Sequence, residues 1–216
     1  MPSTREFRLG YWAAVTVAVE VAVFAAELVW YLIAPSAAAD TVSYIVCLLL
    51  APTYVTMVAS TPLASSEGSR SFTRAALGLA AMYGVLCSAN YYLQLSVVRL
   101  GAYPAPEGAL GLLRFTNGSP AFALDMLGYF FMYLSTLLLI PAIPGRGEET
   151  VLKVFCAING ALAVPTIVFP ALGFSQQGTG SSAAFGCVVL LVWCAAFLPI
   201  PFIYARLFRR RMQAAG

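Results

Sequence analysis

The chain has 216 residues, of which 61% are hydrophobic and 10% are charged, whereas soluble domains average about 45–50% apolar and 25% charged residues. This composition excludes a water-soluble globular domain, a disordered chain and a nucleic-acid-binding protein. The net charge of +3 is too small to indicate a polyanionic partner, and the absence of histidine excludes histidine-ligated metal sites and histidine acid–base catalysis.

Six segments are long and apolar enough to cross a bilayer, for which a helix needs about 20 mostly apolar residues. We therefore expect an all-α polytopic bundle, a single transmembrane domain over residues 1–216 with a long outer connection at 99–120. Proline, glycine and serine clusters separate the segments. The predicted spans are residues 11–34, 41–62, 75–98, 121–143, 151–173 and 182–205.

Basic residues are divided unequally between the two sides of the predicted bundle. Ten of them fall at the termini or in the second and fourth connections, whereas only Arg99 and Arg114 fall on the opposite side. By the positive-inside rule, this asymmetry predicts that both termini are cytoplasmic. An even number of spans agrees with that orientation.

The first span carries two glutamates, Glu20 and Glu27, although acidic residues within the membrane are costly and usually functional. On an insertion scale the pair costs about 5–7 kcal/mol, whereas the apolar residues of the span return only about 3–6 kcal/mol. We therefore expect both side chains to face the bundle interior. Their separation of seven residues places them on one helix face, about 10 Å apart.

The third span carries a polar stripe on one helical face, formed by Tyr83, Cys87, Asn90 and Gln94. Tyr91 flanks this stripe, and Arg99 follows at its outer end. Asp125 is predicted to lie about one turn inside the outer end of the fourth span, and Asn159 near the middle of the fifth span.

We expect these polar faces to meet in an acidic cavity that opens outward and binds a ligand. The predicted ligand-binding residues are Glu20, Glu27, Asn90, Tyr91, Gln94, Arg99, Asp125 and Asn159. In the alternative interpretation, Asp125 and Arg99 form an interfacial ion pair, and Asn90 and Asn159 make interhelical hydrogen bonds worth about 0.6 kcal/mol each. That alternative does not account for two glutamates in one span.

No metal site or cofactor is expected. The five cysteines lie within apolar runs without CxxC spacing, so we expect them to be reduced and buried; they are Cys47, Cys87, Cys156, Cys187 and Cys194. The single lysine, Lys153, is predicted at the cytoplasmic start of the fifth span, which argues against a retinal protein.

The run NYYLQLSVV at residues 90–98, followed by ALDMLGY at residues 123–129, resembles a group of uncharacterised bacterial polytopic membrane proteins. Those proteins carry an N-Y-x-x-Q-x-x-V-V segment and, in the next span, an acidic residue before L-G-Y. The resemblance implies a multi-pass protein of a prokaryotic inner membrane, and it implies that Asn90, Gln94 and Asp125 belong together. It implies no activity.

Three functions remain open at this point, all in contact with membrane lipid. The first is binding or transport of a small cationic or polar solute, with or without proton coupling. The second is an intramembrane enzyme that acts on a lipid or isoprenoid with a carboxylate acid–base pair. The third is a non-catalytic assembly or regulatory subunit that packs on another membrane protein through small residues. Oligomeric state is not indicated.

Overall fold

A computed structural model describes residues 4–61, 67–101, 107–116, 118–145, 147–172 and 183–214. Six helical segments among them are long and apolar enough to cross a membrane, which confirms the predicted all-α, six-span bundle. The cytoplasmic orientation of the termini stays a prediction. The helices are α1 (Thr4–Ile33), α2 (Ala37–Ser60), α3 (Arg70–Leu93), α4 (Glu107–Leu113), α5 (Pro120–Leu139), α6 (Glu148–Ala161), α7 (Ala163–Ala171), α8 (Ala183–Phe197) and α9 (Pro199–Ala214).

Two helices begin at serine caps that the sequence supplies. The Ser36 hydroxyl accepts a hydrogen bond from the Ala39 amide at 3.2 Å and starts α2. The Ser119 hydroxyl accepts one from the Phe122 amide at 3.1 Å and starts α5. Each cap satisfies an amide that the first helical turn leaves without a partner.

The fifth and sixth spans are each interrupted once. The fifth breaks at Leu162, between α6 and α7, and the sixth breaks at Leu198, between α8 and α9. Pro165 follows the first break, and Pro199 and Pro201 follow the second. Because proline has no amide hydrogen and its ring clashes with the preceding turn, a helix commonly breaks just before it.

The six spans pack as a closed ring in chain order. Each span contacts the spans before and after it, and the last span, α8 with α9, returns to contact α1. All five cysteines are free and buried within this bundle, as expected.

Five aromatic side chains fill the centre of the ring, and we call them the aromatic core. Neighbouring ring centroids lie 5.2–5.9 Å apart, and the contacts close on themselves. These separations are those of favourable edge-to-face or offset aromatic pairs. The members are Tyr54, Tyr83, Tyr129, Trp193 and Phe197.

Gly10 sets the crossing of α1 with α2 and α9. A Cβ atom at this position would lie 2.8 Å from Phe208 Cε1 and 2.9 Å from the Cβ of Ser60. Both distances are shorter than packed carbon atoms tolerate. A glycine is therefore required for the three helices to approach this closely at the end that carries both termini.

Candidate functional site

Asp125 of α5 is buried and fully hydrogen-bonded by side chains of α3. Its Oδ1 atom accepts hydrogen bonds from Asn90 Nδ2 at 3.4 Å and from Cys87 Sγ at 3.7 Å. Its Oδ2 atom accepts one from the Tyr91 hydroxyl at 3.2 Å. We call these four residues the Asp125 cluster. The structure therefore brings together three of the predicted site residues, Asn90, Tyr91 and Asp125.

Gly128 allows α5 to approach α3 closely enough for these hydrogen bonds. A Cβ atom at Gly128 would lie 2.7 Å from Cys87 Sγ, so any larger residue would displace the thiol from Asp125. The glycine of the L-G-Y sequence therefore has a packing role beside the carboxylate, one helical turn away.

Residues 113–115 of the long connection lie against the Asp125 cluster. Gln94 Nε2 donates a hydrogen bond of 2.7 Å to the Leu113 carbonyl at the end of α4, so this predicted ligand-binding residue fixes the connection instead of contacting Asp125. Beyond it, aromatic rings pack at centroid distances of 5.5–6.3 Å. The rings are those of Tyr44, Tyr91, Phe115 and Phe122.

Glu20 and Glu27 both face α2, in a group separate from the Asp125 cluster. Glu20 accepts a hydrogen bond from the Thr53 hydroxyl. Glu27 interacts with Ser43 and lies near Asp40, but its Oε2 atom is buried without a hydrogen-bond partner among the described residues. We call these five residues the acidic seam. Both glutamates are at most 9% exposed, as expected for side chains that avoid lipid.

Basic side chains stay outside the bundle interior. Every arginine whose exposure is described is exposed, and Lys153 is half-buried near the start of α6. Within the described part of the chain, the buried carboxylates therefore have no buried basic partner. A carboxyl group in such a place is stable when it carries a proton, accepts hydrogen bonds or binds a cation.

Two predicted site residues do not join either group. Arg99 is exposed, and no ion pair links it to Asp125 among the residues that the structure describes. Asn159 is fully buried and donates a hydrogen bond of 3.0 Å to Thr136 Oγ1. Thr136 lies about 16 Å from Asp125 along α5, measured at 1.5 Å per residue. Asn159 therefore makes the interhelical contact of the alternative interpretation.

The structure adds polar residues that sequence reasoning did not select. Thr53, Ser43 and Asp40 meet the glutamates of α1, and Cys87, which belongs to the polar stripe but was not among the predicted ligand-binding residues, donates a hydrogen bond to Asp125. One signal was available for Thr53, because it follows Pro52 inside an otherwise apolar span. A hydroxyl beside a mid-span proline often serves to satisfy nearby polar groups.

No group of three or more cysteine, aspartate or glutamate side chains in the described ranges is arranged to hold a metal ion. The resemblance to bacterial polytopic proteins stays a prediction. Comparisons of the chain with protein-family models, with curated proteins and with solved structures found no match.

Proposed function

We propose that the protein binds a small cation, a proton included, and carries it across the membrane along the acidic seam. The observation that supports this most directly is the Oε2 atom of Glu27, which is buried without a hydrogen-bond partner among the described residues. A buried acceptor without a donor is destabilising. A proton or a bound cation at Glu27 removes that penalty.

The arrangement of the acidic seam also suits a cation. Glu20 lies two turns from Glu27 on the same helix face, about 10 Å away, and meets a hydroxyl of α2 instead of a basic group. Asp40 adds a third carboxyl group near Glu27. A positive solute passing along α1 would therefore find Asp40 near the start of α2 and the two glutamates deeper in the membrane.

The aromatic core makes the centre of the ring an unsuitable route. Its members are packed against one another at van der Waals distances, and Tyr54 also donates hydrogen bonds across the ring to Ser135 at 3.1 Å and to the Met132 carbonyl at 3.3 Å. The boundary between α1 and α2 carries the acidic groups, so it is the route that we propose.

An intramembrane enzyme fits this geometry less well. The aromatic residues that would line a lipid or isoprenoid pocket pack on one another. Phe24 lies between Glu20 and Glu27 on the buried face of α1, 3% exposed, and its ring contacts Trp193. An acid and a base that act on one substrate atom must both reach it, and these two carboxyl groups are separated by a buried ring.

Proton flux into liposomes tests the proposal. The purified protein is reconstituted into vesicles that contain a pH-sensitive dye, and a potassium gradient with valinomycin makes the interior negative. We expect the protein to accelerate acidification relative to empty vesicles, and Glu27→Gln to abolish the acceleration. Glu149→Gln, the same change at the start of α6 outside the acidic seam, should leave it unchanged.

The competing results are equally definite. If added sodium or choline slows acidification by the native chain and raises its melting temperature but not that of Glu27→Gln, a small cation other than the proton shares the site. If Glu27→Gln acidifies vesicles as fast as the native chain, Glu27 is not on the route. If the native chain does not exceed empty vesicles and none of these cations shifts its melting temperature, the proposed function is wrong.

We further propose that the protein resides in a prokaryotic inner membrane with both termini in the cytoplasm. The distribution of arginines supports this orientation. A reporter that is active only outside the cytoplasm, fused after residue 214, should be inactive. Activity of that fusion would contradict the orientation.

A further inference from the structure

A groove runs along the outside of the bundle between α1 and α9. It encloses about 770 Å³, and its apolar walls include side chains that are more than half exposed, among them Val19 and Phe202. In a membrane protein such a surface is in contact with lipid. The residues that line the groove include Tyr11, Val15, Val19, Phe202, Arg206 and Arg209.

The groove has the length of one leaflet. It follows α1 from Tyr11 to Ala22, which is about 16 Å at 1.5 Å per residue and half of a hydrocarbon core about 30 Å thick. Its inner end is at Leu198 and Pro199, where the proline-induced break separates α8 from α9. The groove therefore ends near the middle of the membrane, as a single acyl chain does.

The opposite end of the groove, next to both termini of the chain, is strongly basic. The Arg206 guanidinium lies over the Phe202 ring at 4.7 Å from its centroid, and it also pairs with Glu148 at 3.4 Å. Arg209 makes no ion pair with the described residues and is exposed. A second depression beside it is lined by Arg5, Arg8 and Trp12.

We propose that this groove binds an anionic glycerophospholipid, with one acyl chain against α1 and the phosphate at Arg209 and Arg206. Arginine presents several donors in a fixed plane and binds phosphate oxygens bidentately. Tyr11 and Trp12 lie where interfacial aromatic residues are commonly found. The positive-inside rule accounts for arginines at this end of the helices, but not for an apolar groove of leaflet length that ends at them. The proposal does not depend on cation transport.

Lipid retention and thermal stability test the inference on the purified full chain. In neutral detergent, added phosphatidylglycerol should raise the melting temperature and stay bound in native mass spectrometry. Phosphatidylcholine and inorganic phosphate should do neither. An equal effect of phosphatidylcholine would show an unselective apolar surface, and an equal effect of phosphate alone would show a site for a free anion; either result overturns the proposal.

Matched variants locate the site. Arg209→Gln and Ala22→Phe should each reduce the shift caused by phosphatidylglycerol, because one removes a phosphate contact and the other fills the groove. Arg211→Gln and Ala26→Phe make the same changes at exposed positions outside the groove and should keep the full shift. If each control loses as much as its partner, lipid binds through general charge and surface area, and the groove is not the site.

Discussion

The carboxyl groups of the Asp125 cluster and of the acidic seam are similarly shielded from solvent, but their hydrogen-bond partners differ. Asp125 is 2% exposed and Glu27 is 4% exposed, so solvent exposure does not distinguish them. Asp125 accepts three hydrogen bonds from α3, whereas Glu27 keeps a buried oxygen without a described donor. A satisfied buried group is what a structural role requires, and an unsatisfied one requires another explanation.

The difference indicates that the Asp125 cluster stabilises the fold and that the acidic seam lowers its stability. The donors of α3 and the acceptor on α5 hold those two helices in register. The buried oxygen of Glu27 without a described donor destabilises the folded protein. Selection for stability alone would therefore favour replacing this glutamate. Residues kept for function often reduce stability in this way.

The largest expected effect is the loss of stability in Asp125→Leu. This change removes the shared acceptor and leaves the donors of Asn90 and Tyr91 buried, so we expect a loss of about 1–3 kcal/mol. Unfolding in detergent, followed by circular dichroism, measures it. Asp125→Asn keeps a carbonyl acceptor and should lose less. Unchanged stability in both variants would show that the Asp125 cluster does not stabilise the fold.

The equivalent substitution in the acidic seam should act in the opposite direction. Glu27→Leu removes a buried oxygen without a described partner, so we expect a gain of about 1–2 kcal/mol in the same unfolding measurement. Glu27→Gln keeps the polar group and should gain less. A loss as large as that of Asp125→Leu would mean that the two regions do not differ, and the comparison would fail.

A smaller effect should follow the removal of the hydroxyl that meets Glu20. Thr53→Val should lower stability by between about 0.6 and 1.7 kcal/mol, the average and the maximum measured for interhelical hydrogen bonds in a membrane protein. Thr56→Val is the matched control, because among the described residues the Thr56 hydroxyl bonds only to the Pro52 carbonyl of its own helix, at 2.9 Å. Equal losses in the two variants would show that the Thr53–Glu20 contact adds nothing.

The smallest effect is expected at Asn159. Asn159→Ala removes one hydrogen bond to Thr136, and the amide oxygen that it also removes has no described partner, so we expect a loss near 0.6 kcal/mol. Its proton flux in vesicles should equal that of the native chain. A loss of flux would mean that Asn159 belongs to the functional site after all and that the proposed route extends to α6.

Helical periodicity and burial energetics predicted part of this arrangement. The apolar runs predicted six spans, and the spacing of Glu20 and Glu27 predicted a buried face. Position along the spans also predicted that Asn90 and Asp125 lie at a similar depth. Each of these inferences uses the geometry of one helix at a time, which the sequence determines locally.

The partners of those residues depend on tertiary packing and could not be predicted. Thr53 meets Glu20 because α2 packs on α1 with a particular rotation. Gln94 meets Leu113 because a short helix folds back over the bundle, and no periodic pattern specifies such a return. The closed ring of spans also packs several aromatic side chains against one another, and no single-helix pattern specifies those contacts.

The helix departs from regular α-helical geometry just before Arg99. Residues Gln94–Val98 form a π-helical turn, and the Arg99 amide bonds to the Gln94 carbonyl at 2.9 Å. One extra residue in a turn shifts the following side chains by about 100° about the axis. Counting at 100° per residue along the polar stripe therefore fails beyond Gln94, and the structure leaves Arg99 exposed.

The aromatic core has a consequence for how the bundle responds to damage. Its five contacts form a closed circuit through α2, α3, α5 and α8. A circuit stays connected when any one member is lost, since the other four still form an unbroken chain. Truncating a single ring should therefore open a local void while the helices stay together, and only two distant losses would divide the network. The aromatic core therefore tolerates the loss of one side chain, whereas the proposed function of the acidic seam depends on individual carboxylate oxygens.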